Sequence, residues 1–299
     1  MKARAPGKLL LSGAYAVLEG APAIVMAVDR YAIADTSSSE PQPAAEVLAA
    51  IGDAPAPRID VRDLYEGPRK LGLGSSAAVL AASLGAIALA RGADLSRPHV
   101  RASIFQQARR AHARAQKGGS GVDVAASVFG GALRYSVRGD DSPEVRAVSL
   151  PPGVRVVAFW SGFSARTSEL RARVDAIVPS TRAPLFRELC EVAMSASEAV
   201  GVANGPAFVD ALRRSVRALD ALGQSAGCPI VSPAIRESYP VAEMEGAAFL
   251  PSGAGGGDVS IYVGMTPPSE AFLRMAQGKN MQRLLLDVDS SGVRAADGV

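Results

Sequence analysis

The chain has 299 residues, 48% of them hydrophobic and 20% charged, with a formal net charge of +3. That length allows two domains or one large one with ample core, and the small charge and scattered arginines exclude a nucleic-acid partner. No apolar run reaches membrane-spanning length without charge or glycine; residues 1–10, broken by Pro6-Gly7-Lys8, do not read as a signal peptide; and Cys190 and Cys228, without metal-like spacing, suit two reduced thiols in a cytoplasmic protein.

In chain order, residues 1–35 read as strands and turns. Residues 8–11 form a short apolar strand, and 14–18 and 23–28 form two more around the turn Glu19-Gly20-Ala21-Pro22. Residues 36–58, rich in Ser, Pro and Ala, read as a loop around a short helix near 44–51, and 58–61 as another strand. Gly72-Leu73-Gly74-Ser75-Ser76 opens an alanine-rich helix to about Arg91. There Val79, Leu80, Leu84 and Ile87 recur at three- and four-residue steps, and Ser75 is the expected N-cap. Ser96 is expected to cap a second helix, with Pro98 in its first turn, that ends near Gln116. Residues 122–128 suggest one or two helical turns, Gly130-Gly131 a break, and 132–137 a strand. The polar stretch 139–143 marks a domain boundary, dividing the chain into 1–145 and 146–299. Beyond it, 154–160 reads as a buried strand and 168–174, 183–201, 206–222 and 232–245 as helices. A glycine-dense loop, 252–258, leads into a strand at 259–263, a helix at 268–277 and a last strand at 283–288. Helices and strands interleave in both halves, so the class is α/β or α+β.

Four segments carry chemistry. In the first, Lys8 is one of few lysines in an arginine-dominated chain and sits at the mouth of an apolar strand. It is either a side chain snorkelling at a strand end or a functional cation. The second is the loop at 72–78. Its glycines let the backbone approach a ligand, and the helix start behind it favours anions, phosphate above all. It lacks the Gly-Lys-Ser/Thr of a Walker A loop and the third glycine of a dinucleotide fingerprint. The third is Gly119-Ser120-Gly121-Val122-Asp123, where Asp123 either caps the next helix or accepts a proton from a substrate hydroxyl. The fourth, 252–258, is flanked by apolar residues, which places it at the edge of a core rather than in a free surface loop.

Together these segments resemble the GHMP kinases, the superfamily of galactose, homoserine, mevalonate and phosphomevalonate kinases. The order matches over nearly the whole chain: Pro6-Gly7-Lys8, then Gly72-Leu73-Gly74-Ser75-Ser76-Ala77-Ala78, then Ser252-Gly253-Ala254-Gly255-Gly256-Gly257. Within the superfamily it looks most like phosphomevalonate kinase, through Tyr15-Ala16-Val17-Leu18-Glu19-Gly20, Gly119-Ser120-Gly121-Val122-Asp123 and Ala165-Arg166-Thr167-Ser168. The resemblance implies an α+β fold: an N-terminal domain like domain 2 of ribosomal protein S5 and a ferredoxin-like C-terminal domain. It implies ATP and Mg²⁺ as cofactors. Gly72, Leu73, Gly74, Ser75, Ser76 and Ala77 would wrap the phosphates, and Ser76 would ligate the metal. Asp123 would act on the acceptor, and Lys8 would neutralise phosphate oxygens beside it. Tyr15, Ser120, Arg166, Thr167, Ser168, Ser252, Gly253, Ala254 and Gly255 would line the substrate. The expected partner is a small-molecule phosphate or hydroxyl acceptor, with no nucleic acid and no membrane, and a homodimer is one option for assembly.

Three positions depart from that pattern. His112 stands eleven residues before Asp123, where mevalonate kinases carry a Glu metal ligand; its alternative reading is a packed histidine on the second helix. Ala14 stands where relatives often have Glu, and Leu250 where phosphomevalonate kinases usually have Lys. Three functions compete: a phosphomevalonate kinase, a kinase of the same superfamily for mevalonate or another small hydroxyl compound, and a non-catalytic binding protein. Retention of both Lys8 and Asp123 argues against the last.

Overall fold

The first strand is longer than its apolar centre. In the computed structural model, which describes residues 1–116, 118–137, 143–163 and 167–296, β1 (Lys2–Ser12) is buried throughout residues 5–12. It is followed by β2 (Ala23–Ser39). The strand expected at 14–18 is instead a single 3-10 turn, Ala16–Glu19. Its peptide groups are satisfied locally, by Val17 N to Gly13 O and Leu18 N to Tyr15 O at 3.0 Å each, so no neighbouring strand is needed. Then come α1 (Ala45–Ile51), β3 (Pro57–Asp60), a two-residue hairpin of β4 (Tyr65–Glu66) and β5 (Arg69–Lys70), α2 (Ser75–Ala90), α3 (Pro98–Ala115), α4 (Val122–Phe129), β6 (Ala132–Val137) and β7 (Pro143–Val148). The remainder is β8 (Arg155–Trp160), α5 (Thr167–Asp175), α6 (Pro179–Gly201), α7 (Gly205–Ser225), α8 (Pro233–Met244), β9 (Ala248–Pro251), β10 (Val259–Gly264), α9 (Glu270–Gly278), β11 (Gln282–Leu284) and β12 (Arg294–Ala295). Most of the polar stretch expected to mark the domain boundary, 139–142, lies outside the described residues.

The chain divides into two compact units. One comprises Met1–Leu9, Val25–Leu133 and Asp287–Val299; the other comprises Leu10–Ile24 and Arg134–Leu286. Strands in the larger sheet follow the order β12-β1-β2-β6-β7, with β3 pairing with β2.

In the first unit, α2 is central. The three- and four-residue spacing of its larger side chains suggests one apolar stripe, but the helix is buried nearly all round, from Ala77 and Ala78 through Leu80, Ala81, Ala82, Ser83 and Leu84 to Ala86. A helix apolar on every side is a core helix, and alanine's small side chain lets neighbours approach it closely. By contrast α3 is amphipathic: it buries Ile104, Phe105, Ala108, Ala111 and His112, at helical spacing. Ser96 does not cap it; the N-cap is Arg97, with Pro98 at the start of the helix. The strand expected at 283–288 is only β11 plus one bridge from Val288 to Val28. The C-terminal segment instead returns as β12, pairing antiparallel with β1 (Ala3 with Ala295, Arg4 with Arg294).

In the second unit, an antiparallel sheet of order β11-β8-β10-β9 carries the core. Phe159, Phe249, Tyr262 and Phe272 form its aromatic centre, with Tyr262 4.9 Å and Phe249 5.2 Å from Phe272 between ring centroids. Tilted and edge-on rings at these spacings contribute about 0.5–1.5 kcal/mol per pair beyond their burial. Three of its helices, α7, α8 and α9, are capped by side chains: Asn204, Ser232 and Ser269 accept the amides of Ala207, Ile235 and Phe272. Each cap stabilises its helix by about 1 kcal/mol.

Candidate active site

Three segments of the first unit meet at the side chain of Lys8. The backbone N–H of Lys8 donates to Leu73 O at 2.8 Å, which ties β1 to the glycine loop. Gly74 then turns the chain into α2 at φ 75°, in the left-handed region. A Cβ there would also lie 3.0 Å from Lys8 Cγ, so glycine is required both by the turn and by the lysine stem. Lys8 does not snorkel: its side chain is 7% exposed, and Nζ lies 3.8 Å from Asp123 Oδ1. A buried ammonium needs such a partner. Asp123 sits in the first turn of α4 with its side chain 34% exposed. The N-cap of α4 is Gly121, at φ 84°, so the helix-cap reading of Asp123 does not hold. Its carboxylate faces a cation on one side and remains open on the other.

Ser75 is not the cap of α2. Gly74 occupies that position, because the left-handed backbone there disfavours a side chain, and Ser75 becomes the first helical residue. The first α-helical bond is Ala78 N to Gly74 O at 3.1 Å. The amides of Ser75, Ser76 and Ala77 therefore face out of the helix start, where an anion is favoured.

A feature that sequence reasoning missed lies beside them. Ser76 Oγ is 3.3 Å from His112 Nε2 and accepts from Gln116 Nε2 at 3.3 Å; the same Gln116 nitrogen donates to Glu46 Oε1 at 3.1 Å. Thus His112, read as a packed histidine, is buried on α3 and also touches the glycine loop's serine. The available signal was the spacing of His112 and Gln116, one helical turn apart. Ser120 accepts the amide of Val122 at 3.3 Å, at the start of α4.

In the second unit, the loop at 252–258 is held from several sides. Leu10 N donates to Ser252 Oγ at 2.9 Å, and Tyr15 OH donates to Ala254 O at 2.8 Å. Gly256 N reaches Ile230 O at 2.9 Å, and Asp258 N reaches Phe163 O at 2.8 Å. A Cβ on Gly255 would fall 2.0 Å from Ile230 O, so only glycine fits under that strand of chain. Tyr15 itself sits at φ 61°, an uncommon backbone for a large residue. Burial, with smaller contributions from Cys228 and Asp175, pushes its phenol well above its ordinary pKa, so the hydroxyl keeps the proton it donates to Ala254. Thr167 and Ser168 open α5 and are exposed, and Arg166 lies outside the described residues. Leu250 is 2% exposed, on β9 opposite Ile261. An apolar partner across the strand pair explains why leucine is accommodated there. Among the described residues, no helix is long and apolar enough to cross a membrane.

Comparison with known proteins assigns the class. A family model for the GHMP kinases N terminal domain matches residues 42–131. A phosphomevalonate kinase of Streptomyces sp. strain CL190 is 29% identical over 332 residues, covering 86% of this chain and 88% of that protein. A mevalonate kinase of Archaeoglobus fulgidus is 30% identical over 281 residues, covering 86% of this chain and 90% of that protein. Streptococcus pneumoniae phosphomevalonate kinase, solved in complex with phosphomevalonate and AMPPNP, shares the fold at a TM-score of 0.79 and 19% identity, covering 96% of this chain and 99% of that one. The fold and these relatives define a small-molecule kinase with the mixed α+β architecture expected. The chain belongs to the GHMP kinases.

Proposed function

We propose that this kinase transfers the γ-phosphoryl group of ATP to 5-phosphomevalonate, forming 5-diphosphomevalonate in the mevalonate route to isoprenoids. The observation that carries the reading is the Lys8 ammonium 3.8 Å from Asp123, on a strand tied to the glycine loop. The Streptomyces relative described above is named for that substrate and supports it.

An oxygen of the acceptor's phosphate attacks the γ-phosphorus, the bond from that phosphorus to the β,γ-bridging oxygen breaks, and ADP leaves. The chemistry is positioning and charge neutralisation. The amides of Ser75, Ser76 and Ala77, with the turn of Gly72, Leu73 and Gly74, hold the phosphates. Lys8 attracts the oxygens of the moving phosphoryl group, and Asp123 accepts a proton when the acceptor arrives protonated. Tyr15 tethers the loop of Ser252, Gly253, Ala254 and Gly255, and these residues, like Ser120, are assigned to substrate binding. Arg166, Thr167 and Ser168 supply charge and hydroxyls for the acceptor's own phosphate. Mg²⁺, when it enters with ATP, supplies further neutralisation of the phosphates. The Ser76 hydroxyl is a hard oxygen donor that suits it. Among the described residues no group of three or more His, Cys, Asp or Glu side chains could hold a metal alone, so the residues fit a cation that arrives on the nucleotide. In this reading 1–145 is the N-terminal kinase domain, 146–299 is the C-terminal one, and the enzyme is cytoplasmic, with a homodimer as one possible assembly.

A second reading takes mevalonate as acceptor. Leu250 favours it, since a buried leucine removes a charge from the position where phosphomevalonate kinases usually have lysine. Coupled ADP release measured with phosphomevalonate, mevalonate and homoserine separates the readings. Turnover with phosphomevalonate well above the other two is the expected result, and preference for mevalonate selects the second reading.

A further inference from the structure

The Ser76 hydroxyl is held by two side chains, His112 on α3 and Gln116 at its C-terminal cap, and their chemistry fixes which way it points. A serine hydroxyl has one proton and two lone pairs. Glu46, as a carboxylate, only accepts, so the group of Gln116 that faces it is the amide nitrogen. The same nitrogen lies 3.3 Å from Ser76 Oγ, and its second hydrogen therefore occupies one Ser76 lone pair. What remains depends on His112 Nε2, 3.3 Å from the same oxygen. If Nε2 carried a hydrogen, the second lone pair would be used and Ser76 would present only its O–H. If Nε2 is bare, it takes the Ser76 proton and one lone pair stays available.

We infer that His112 is a positioning residue: with its hydrogen on Nδ1, it accepts the Ser76 hydroxyl proton at Nε2 and turns the remaining Ser76 lone pair toward the cation that accompanies the nucleotide. This rests on the proposal that Ser76 ligates that cation. A Cβ added to Gly119 would lie 4.0 Å from His112 Nδ1, so the Nδ1 side faces the glycine segment that leads to Asp123. His112 is 8% exposed and its ring is held within the packing of α3. One imidazole thus touches the serine of the glycine loop and lies beside Gly119. It adds no negative charge, so the cation's affinity comes from the nucleotide's phosphates plus one oriented hydroxyl, and Mg²⁺ without nucleotide is expected not to bind.

The test is calorimetric titration of the full chain with AMPPNP, once with Mg²⁺ and once with EDTA, which reads binding rather than turnover. In the parent protein Mg²⁺ should tighten binding. His112→Phe cannot accept the proton and should lose roughly three- to tenfold of that tightening, the worth of one oriented hydrogen-bonding group, while binding in EDTA stays unchanged. His112→Gln places a carbonyl at the reach of Nε2 and should restore it. Ser76→Ala should lose the same increment, and Ser76→Ala with His112→Phe should lose no more. If Ser76→Ala loses the increment but His112→Phe keeps it, the role of His112 is overturned and the Ser76 ligand stands. Equal weakening of His112→Phe with and without Mg²⁺ also overturns it, as does loss of the increment in a folded His112→Gln. If Ser76→Ala keeps the full increment, the Ser76 ligand falls and the inference falls with it.

Discussion

At the scale of single residues, Lys8 and Asp123 pair at 3.8 Å although they lie far apart in the sequence. Lys8 is buried and Asp123 is not, so removing the carboxylate strands a cation, whereas removing the lysine leaves an anion near water. Asp123→Asn keeps size and should lower kcat by about 10²–10⁴, nearer the lower figure because a loose transition state needs little proton removal. Lys8→Met should lower kcat as well, and the double variant should lose less than the product of the two. Strictly multiplicative losses in steady-state kinetics would separate the residues. Tyr15→Phe removes the bond to Ala254 O and costs about 1 kcal/mol of local order. Faster amide exchange across 252–257 with unchanged exchange in α2 is the expected signature; no change there would show that the loop is held without Tyr15. Much at this scale was legible in the sequence. Lys8, the glycine loop and Asp123 stand out because charged or glycine residues interrupt apolar runs. His112 did not stand out as a contact of Ser76, because that pairing depends on how α3 packs on α2, and helical periodicity says only that His112 faces inward.

At the scale of elements, β12 closes the edge of β1 with two residues. Such a strand has no periodicity to read; pairing alone defines it. It is fixed by Asp289, which accepts from Tyr31 OH at 2.8 Å and from Gly292 N at 2.7 Å and pairs with Arg294 at 2.8 Å. Burial pushes the Asp289 carboxyl up, but Arg294, Tyr31 and Gly292 together outweigh burial and hold it below the ordinary range. A carboxylate with a depressed folded-state pKa stabilises the fold above its unfolded value of about 3.9, and that contribution is lost as pH falls through the folded value. Asp289→Asn should therefore lower stability at pH 7 by about 3 kcal/mol, as expected when one partner of a buried pair is removed. The gap between variant and parent should narrow below about pH 4. Denaturant melts across pH 3–7 check this, and a constant gap would contradict it. The 3-10 turn at Ala16–Glu19 reads as a strand in the sequence for a related reason: an apolar run fits either until local backbone bonds are known.

At the scale of the whole molecule, the chain is laid out in segments, with β1, β2 and β6 each contributing residues to both compact units. The compact units are therefore discontinuous in the chain, whereas the α+β class and the ordered motifs were readable from sequence. The acceptor was not readable, because Arg166 and its neighbours are judged by what they contact and no spacing rule encodes that. Phosphorus NMR of the reaction products tests the central claim most directly. With ATP and phosphomevalonate, the account predicts loss of the acceptor's monoester resonance and the appearance of a new diphosphate pair alongside that of ADP. An unchanged monoester resonance with phosphomevalonate, together with a new monoester from mevalonate, would contradict it.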